Sequence, residues 1–132
     1  MKWAEGQTLV PLAKPAITRA QLSEYAEASG DHNPIHLDEA FAKEAGFPSV
    51  IVHGMLSMAF LADFLSARFP DTNFQVQRLK TRFRKVTFPG DELVCEGKVK
   101  KINSDGSLVI SAWTQNQRGE LSCEAEADIL PR

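Results

Sequence analysis

Cysteine is scarce in this chain: there are only two among its 132 residues, Cys95 and Cys123. They lie far apart and form no CxxC pair, so the sequence has neither a dithiol redox motif nor a cysteine-based zinc motif. Isolated cysteines of this kind are usually buried, and thiols stay reduced in the cytosol. We therefore expect two free, buried thiols and a cytoplasmic location.

Long apolar runs and an excess of positive charge are also absent. The most apolar stretch, residues 50–65, is interrupted by His53, Gly54 and Asp63 and is too short to span a bilayer. The first five residues carry no apolar segment typical of a secretory signal peptide. The formal net charge is −2, which gives no indication of nucleic-acid binding. We expect neither a membrane nor a nucleic acid as a partner.

The residues that are present are typical of one domain. With 43% apolar and 24% charged residues, a chain of this length can bury a hydrophobic core. Residues 18–69 show mainly helical patterns, whereas residues 73–130 show almost only strand patterns. The sequence therefore predicts a single α+β domain over residues 1–132, with an antiparallel sheet packed on a helix.

Three helices are predicted in the first half. Thr18 caps a short helix that ends at Gly30, and Asp38 caps a second that ends at Gly46. The third, over residues 54–69, is apolar around nearly its whole circumference. Such a helix is expected to be buried on most sides, and the strands that follow it predict a curved sheet as its cover.

Strands separated by turn residues are predicted in the second half. Residues 120–129 alternate strictly between apolar and polar or acidic side chains, which indicates one dry and one wet face. Residues 73–88 form another strand, whose change of parity predicts a β-bulge near Lys85. Residues 7–12 predict an edge strand. Basic residues occupy alternate positions of the strand predicted over residues 73–88: Arg78, Lys80, Arg82 and Arg84.

A candidate acid–base pair lies between the first two helices, in the sequence Asp-His-Asn-Pro-Ile-His at residues 31–36. Pro34 lacks a backbone donor and keeps the residue before it out of the α region, so we expect a turn or extended loop. Such a loop can direct Asp31 and His36 at one point, where they could hold a water molecule and exchange protons with it. The alternative is structural: Asp31 as a turn residue and His36 as a hydrogen-bonded surface residue.

Gly54, at the start of the third predicted helix, is a second candidate. The first N–H groups of a helix have no partner within it and lie at the positive end of its dipole. The Gly54 N–H could therefore polarise a carbonyl oxygen, as in an oxyanion hole. The alternative is that Gly54 only permits a tight turn and that His53 caps the helix.

Metal binding has little support in the sequence. Four side chains are possible ligands, but their spacing matches no metal-binding motif, and Pro34 interrupts any helical face that could align them. We predict no metal and expect His32 to face solvent. The four are Asp31, His32, His36 and His53.

Two further side-chain groups have both functional and structural interpretations. Ser29 and Ser57 lack the GxSxG context of an activated serine, so a serine nucleophile is not expected. Arg82 and Arg84 could contact an anionic partner, such as the phosphates of a carrier. Alternatively, they are solvent-facing charges that discourage pairing at a strand edge.

Three segments together resemble a known family. The first is Ser-Gly-Asp-x-Asn-Pro-Ile-His at residues 29–36, followed by Asp38, Ala42 and Phe47. The second is Ile-Val-His-Gly-Met at residues 51–55, and the third runs from Phe83 to the Pro-Gly-Asp turn that ends at residue 91. These segments resemble those of the MaoC-like hydratases, which include the (R)-specific enoyl-CoA hydratases, and they span most of the chain.

This resemblance implies a hot-dog fold, in which an antiparallel sheet wraps a long central helix, and a homodimer joined edge to edge through its sheets. It implies a hydro-lyase that adds water reversibly, in syn geometry, to a trans-2-enoyl thioester and forms an (R)-3-hydroxyacyl thioester. Acyl-CoA or an acyl-carrier thioester is then the substrate, and no cofactor or metal is needed.

The resemblance also implies a role for each motif residue. Asp31 and His36 would hold and deprotonate the water and return a proton to C2, while the Gly54 N–H would receive the thioester carbonyl. Apolar surfaces near Tyr25 and along residues 55–61 would contact the acyl chain. Two alternatives stay open. One is an acyl-CoA thioesterase of the same fold, which directs water to C1, and the other is a non-catalytic acyl-CoA or acyl-carrier binding module.

Overall fold

The first half of the chain forms three α-helices. In the computed structural model, which describes residues 3–132, helix α1 spans Arg19–Ser29, α2 spans Glu39–Glu44 and α3 spans Gly54–Arg68. A 3-10 turn over Pro34–His36 separates the first two. The first two residues lie outside the described part of the chain. They belong to the predicted domain 1–132 and to the segment that showed no pattern typical of a signal peptide. Within residues 3–132, no helix has the length and apolar character needed to cross a membrane.

Side-chain caps decide where the first two helices begin. Thr18 Oγ1 accepts the N–H of Gln21 at 3.1 Å, and Asp38 Oδ1 accepts the N–H of Phe41 at 3.1 Å. Helix α1 ends at Gly30, whose φ of 80° lies in the left-handed region that favours glycine. These observations confirm the caps predicted from the sequence.

Four strands of the second half and one short strand near the start of the first half form a five-stranded antiparallel sheet with α3 packed on one face. The strand order is β1-β3-β4-β5-β2, so that β1 and β2 lie at the edges, and α3 contacts the four longer strands. This is the hot-dog arrangement of the α+β class that was predicted. The strands are β1 (Leu12–Ala13), β2 (Phe74–Phe83), β3 (Val94–Ile102), β4 (Leu108–Gln115) and β5 (Leu121–Pro131).

The edge strands differ in detail from the predictions. β2 ends at Phe83, and its register against β5 shifts just before Arg78, so the predicted bulge near Lys85 is wrong. The change of parity marks instead the point where the chain leaves the sheet, since the Thr87 carbonyl accepts the N–H of Val52 at 2.8 Å. The predicted strand at residues 7–12 is reduced to β1 and one isolated bridge to β3.

Helix α3 is buried along one side only. Met55 is 55% exposed, and Ala59 and Ala62 on the same side are exposed as well. The prediction that α3 is buried on most sides is therefore wrong, because the single sheet of this chain covers only one side of the helix. The buried side contributes five large side chains to the core: Leu56, Phe60, Leu61, Phe64 and Leu65.

Both cysteines are free and buried, as predicted. Burial raises the pKa of the Cys95 thiol to about 12, and its Sγ donates to the Phe60 carbonyl at 3.6 Å. Burial likewise raises the pKa of Cys123. Both thiols therefore stay protonated at neutral pH and behave as small core residues.

Candidate active site

The loop between α1 and α2 is braced by its own side chains. Asp31 Oδ1 accepts the N–H of Asn33 at 3.2 Å, and Asn33 Oδ1 accepts the N–H of Ile35 at 3.2 Å. Pro34 then opens the 3-10 turn that contains His36. The result is that the side chains of Asp31 and His36 face each other, with Oδ2 of the first 3.9 Å from Nε2 of the second.

His36 is held through its other ring nitrogen. Its Nδ1 lies 2.7 Å from the carbonyl oxygen of Ile51. Because a carbonyl oxygen only accepts, Nδ1 carries a proton, which leaves Nε2, the nitrogen that faces Asp31, as the one that can accept a proton. The His36 side chain is 9% exposed and that of Asp31 is 50% exposed, so the pair lies where the protein interior meets solvent.

The gap between Asp31 and His36 has the width for one shared water molecule. A separation of 3.9 Å is too long for a direct hydrogen bond, but a single water can donate one hydrogen to each acceptor across it. The oxygen of that water would keep its lone pairs free for attack on a carbon atom. The predicted meeting of these two side chains is thus found in the structure.

Gly54 begins α3 on the wall of a cleft that also contains His36. The cleft has a volume of about 180 Å³, and the remaining lining comes largely from the segment after β2. As the first residue of α3, Gly54 has an N–H without a partner in the helix. Its backbone is exposed, and the ring of Phe83 packs so closely that a Cβ at position 54 would lie 3.3 Å from it.

His53 is the member of the site that sequence reasoning underestimated. It is 1% exposed, its ring stacks on that of His36 with centroids 3.8 Å apart, and the ring of Tyr25 contacts it edge-on at 4.8 Å. Its Nε2 lies 3.2 Å from the backbone carbonyl oxygen of Asp31. The sequence indications were its place directly after the apolar residues 50–52 and in the Ile-Val-His-Gly-Met segment, but no catalytic role was assigned to it.

Burial also governs the charge of His53. Desolvation lowers its pKa, although the hydrogen bond to the Asp31 carbonyl acts in the opposite direction. The nearby His36 ring lowers it further. His53 is therefore neutral at neutral pH.

Comparison with known proteins identifies the family of this chain. Residues 3–117 match the family model described as MaoC like domain. The chain belongs to the MaoC-like domain family. This confirms the resemblance inferred from the sequence motifs.

Relatives of this MaoC-like protein are hydratases and dehydratases. The (R)-specific enoyl-CoA hydratase of Aeromonas caviae is 32% identical over 113 residues, which are 83% of each chain. The solved structure of the (R)-hydratase from A. caviae involved in PHA biosynthesis has a TM-score of 0.87 at 30% identity and covers 96% of each chain. The 3-hydroxyacyl-thioester dehydratase X of Mycobacterium tuberculosis is 45% identical over 75 residues, and the match spans only 25% of that relative.

The two arginines predicted to contact phosphates lie in different places on the MaoC-like domain. Arg84 lines the cleft beside His36, and its Nε donates to Glu124 at 2.8 Å. Arg82 instead lines a separate hollow of about 380 Å³ together with Glu124 and Glu126. The structure therefore brings only Arg84 to the candidate active site.

Several cleft residues were missed from the sequence. Ser122 belongs to the polar side of the alternation in β5 and was expected to face solvent, yet it is buried, with its Oγ 2.7 Å from Thr87 Oγ1. The reason is that the chain after β2 folds over this end of β5, with the Arg84 N–H donating to the Ser122 carbonyl at 2.9 Å. Lys85 and Ser57 line the same cleft.

Asp31, His36 and His53 also offer the donor set closest to a metal site in residues 3–132, with one atom of each within 4.8 Å of the others. An imidazole binds a metal ion through a lone pair that lies in the plane of its ring. The two rings are stacked with only 22° between their planes, so their lone pairs do not converge on one ion. His32 points elsewhere, with its Nδ1 3.9 Å from the carboxylate of Glu27.

Proposed function

We propose that this MaoC-like protein is an (R)-specific enoyl-CoA hydratase. Its reaction would be the reversible syn addition of water to a trans-2-enoyl thioester, with an (R)-3-hydroxyacyl thioester as product. One observation carries the proposal: Nε2 of His36 faces Oδ2 of Asp31 across 3.9 Å, in the same region as an exposed helix N-terminus. The family membership and the hydratase relatives support it.

The proposed reaction uses the pair to activate one water molecule. The water donates to His36 Nε2 and Asp31 Oδ2, and its oxygen attacks C3 of the enoyl group as an O–H bond breaks. The Asp31–His36 pair takes up the released proton and returns it to C2 from the same side of the double bond, which gives syn addition. Water and thioester supply every atom of the product and no electron is gained or lost, so the reaction as written needs no cofactor or metal.

Gly54 is proposed to stabilise the charge that develops on the thioester. As the new C–O bond forms at C3, electron density moves through C2 to the carbonyl oxygen. The Gly54 N–H lies at the positive end of the α3 dipole and can donate to that oxygen. One such donor lowers the barrier by about 2.7–4 kcal/mol in acyl-transfer enzymes, where charge develops on a carbonyl oxygen in the same way.

An assay with crotonyl-CoA tests the proposal and separates it from its two alternatives. Hydration removes the conjugated double bond, so absorbance of the enone falls while no thiol appears. A thioesterase would instead release free coenzyme A, which a thiol reagent detects, and a binding module would do neither. We expect loss of enone absorbance without thiol release, and (R)-3-hydroxybutyryl-CoA as the product in chiral analysis.

We also infer a homodimer joined through β2. This strand has ten residues, lies at an edge of the sheet and so presents a long row of backbone groups without a strand on that side. Exposed apolar side chains lie at both of its ends, Val76 near one and Phe83 at the other. Light scattering coupled to size exclusion is expected to give twice the mass of one chain, and a monomer mass would contradict the inference.

Other parts of the sequence analysis stay predictions. These are the contact of Arg82 with carrier phosphates, the single-domain organisation of residues 1–132 and the cytoplasmic location. The choice between coenzyme A and an acyl-carrier protein is addressed by comparing kcat/KM for the same acyl group on each carrier. Because Arg84 and Lys85 both line the cleft, we propose that the carrier enters on that side.

A further inference from the structure

His53 occupies a position that is costly for a histidine. Its Nδ1 is buried and has no hydrogen-bond partner among residues 3–132. A buried polar atom left in this state costs about 1–3 kcal/mol. A phenylalanine of similar size would fill the space without that cost, so the ring nitrogens call for an explanation.

The hydrogen bond made by the other ring nitrogen of His53 explains why a histidine occupies this position. Nε2 lies 3.2 Å from the Asp31 carbonyl oxygen, which only accepts, so Nε2 carries the proton and donates. This bond joins the start of α3 to the backbone of a residue 22 positions earlier in the chain. It holds the carbonyl group of Asp31, whereas the local bonds hold its N–H, which donates to Ser29 Oγ at 3.2 Å, and its side chain, which accepts from Asn33.

His53 also fixes the second member of the pair. Its ring face lies against the ring of His36 at 3.8 Å, while the Ile51 carbonyl holds the edge of His36. His36 can therefore neither tilt toward the core nor rotate without displacing His53. Neutrality matters here as well, because a protonated His53 would repel a His36 that has taken a proton, and burial lowers the pKa of His53.

We propose that His53 is a positioning residue that sets the separation of Asp31 and His36, by donating to the Asp31 carbonyl and stacking on the His36 ring. This inference rests on the proposed hydratase function. His53 lies outside the path of the substrate: it is buried and is not among the residues that line the cleft. Its loss should therefore slow the chemical step and leave substrate binding unchanged.

Two substitutions separate the donor from the ring. His53→Phe keeps a ring that can stack on His36 but cannot donate to Asp31. His53→Gln restores a donor, because the carboxamide nitrogen reaches the place of the imidazole Nε2. His32→Gln is the matched control, a histidine on the exposed side of the same loop.

We expect kcat for crotonyl-CoA hydration to fall about ten- to a hundredfold in His53→Phe, as misplacement of a catalytic group predicts. His53→Gln should recover most of that loss but not all of it, because it regains the donor and not the stacked ring. KM should change by about twofold or less in both, because the cleft is intact. His32→Gln should match the native enzyme. Equal losses of kcat in the Phe and Gln variants, a native kcat in His53→Phe, or a loss confined to KM would each overturn the proposal.

A measurement without substrate keeps the test independent of folding defects in the variants. Long-range proton–nitrogen correlation spectra of the native protein distinguish the two imidazole tautomers and the protonated ring. We expect His53 to be neutral at pH 7 with its proton on Nε2. A proton on Nδ1 alone would overturn the positioning contact whatever the activity, because Nε2 could then not donate to the Asp31 carbonyl. The expected tautomer in a protein that hydrates no enoyl thioester would instead refute the proposed function and leave the contact standing.

Discussion

Nε2 of His36 and Oδ2 of Asp31 lie 3.9 Å apart, with no proton between them when the ring is neutral and the carboxylate ionised. Two acceptors that face each other at this distance are complementary to the two hydrogens of one water molecule. Neither group activates water as well alone, since each then loses the partner that orients it. The pair should therefore respond to substitution as one unit.

Removing either member of the pair should abolish most of the activity. We expect Asp31→Asn and His36→Ala each to lower kcat by about a hundredfold or more, the size of positioned acid–base catalysis. The double variant should be little worse than either single one, because residues that act as a unit are not additive. Steady-state kinetics on crotonyl-CoA give these values, with circular dichroism as the check of folding.

Of these two variants, Asp31→Asn gives the more specific test of catalysis, because it disturbs the fold less. His36→Ala also leaves the buried Ile51 carbonyl without its donor, which lowers stability, whereas the Asp31 side chain is half exposed. A folded Asp31→Asn protein with near-native kcat would contradict the role given to this carboxylate.

A methyl group at position 54 should block the carbonyl site. The Cβ of a helical residue tilts toward the helix N-terminus, the side from which a thioester would approach the Gly54 N–H. We expect Gly54→Ala to lower kcat about a hundredfold, as the loss of one oxyanion donor does. The measurement is the kcat of hydration at saturating substrate.

The Phe83 ring offers a control for this effect, because the added Cβ would lie 3.3 Å from it. In Gly54→Ala/Phe83→Leu the crowding is relieved, but the methyl group still covers the N–H. We expect the double variant to stay impaired. Recovery of native kcat would mean that Gly54→Ala acts only through Phe83 and that the N–H is not the carbonyl donor.

Arg84 should contribute to substrate binding and not to the chemical step. It lines the cleft, and its guanidinium is already held by Glu124. We expect Arg84→Ala to raise KM for acyl-CoA about three- to tenfold with kcat nearly unchanged, the size of one charge-assisted hydrogen bond at an exposed site. Steady-state kinetics with acyl-CoA measure both constants.

Two comparisons make the Arg84 result specific. Arg82→Ala removes the same charge from the neighbouring hollow and should change KM less. An acyl-pantetheine substrate lacks the nucleotide phosphates, so Arg84→Ala should leave its KM unchanged. An equal rise of KM with both substrates would assign Arg84 a role other than phosphate contact.

Asp91 should make the fold sensitive to acid. It is buried and accepts hydrogen bonds from the Phe88 N–H at 2.9 Å, from Gln117 at 2.9 Å and from Arg118 at 3.1 Å. Burial by itself raises the pKa of Asp91, but these bonds outweigh it, so the pKa lies below the ordinary value. A carboxyl whose pKa is lower in the folded state adds stability above its unfolded pKa of about 3.9, and this stability is lost as the pH falls through the folded pKa.

Asp91→Asn should therefore lower the free energy of unfolding by about 1–3 kcal/mol at pH 7. The difference from the native protein should shrink below about pH 4, as the native carboxyl takes up a proton. Urea titrations at pH 7, 5 and 3.5, at one protein concentration, measure it. Glu120→Gln, which removes the exposed partner of the same Arg118, should have little effect. A difference that stays constant down to pH 3.5 would refute this explanation.

Local features of the site could be predicted from the sequence because their contacts are local. The caps at Thr18 and Asp38 and the Asp31–His36 turn depend on hydrogen bonds between residues two or three positions apart. Proline at position 34 restricts the same turn through covalent geometry. Side chains five positions apart on such a turn have few ways to point, so their meeting followed from the motif.

The parts that failed depend on which distant segment covers which residue. Ser122 looked solvent-facing by alternation, but residues 84–87 fold over it. The apolar circumference of α3 predicted burial on most sides, but one sheet covers only one of them. Periodicity records which residues share a face and says nothing about what lies opposite that face.

The amino-acid sequence by itself determined the helix caps, the antiparallel α+β class and the turn that joins Asp31 to His36. Only the tertiary structure decided that His53 contacts both Asp31 and His36. It also decided that Arg84 and not Arg82 lines the cleft, and that the segment after β2 forms part of its wall. The physical reason is range: hydrogen bonds within a turn depend on a few neighbouring residues. Ring stacking and burial depend instead on how segments far apart in the chain pack together.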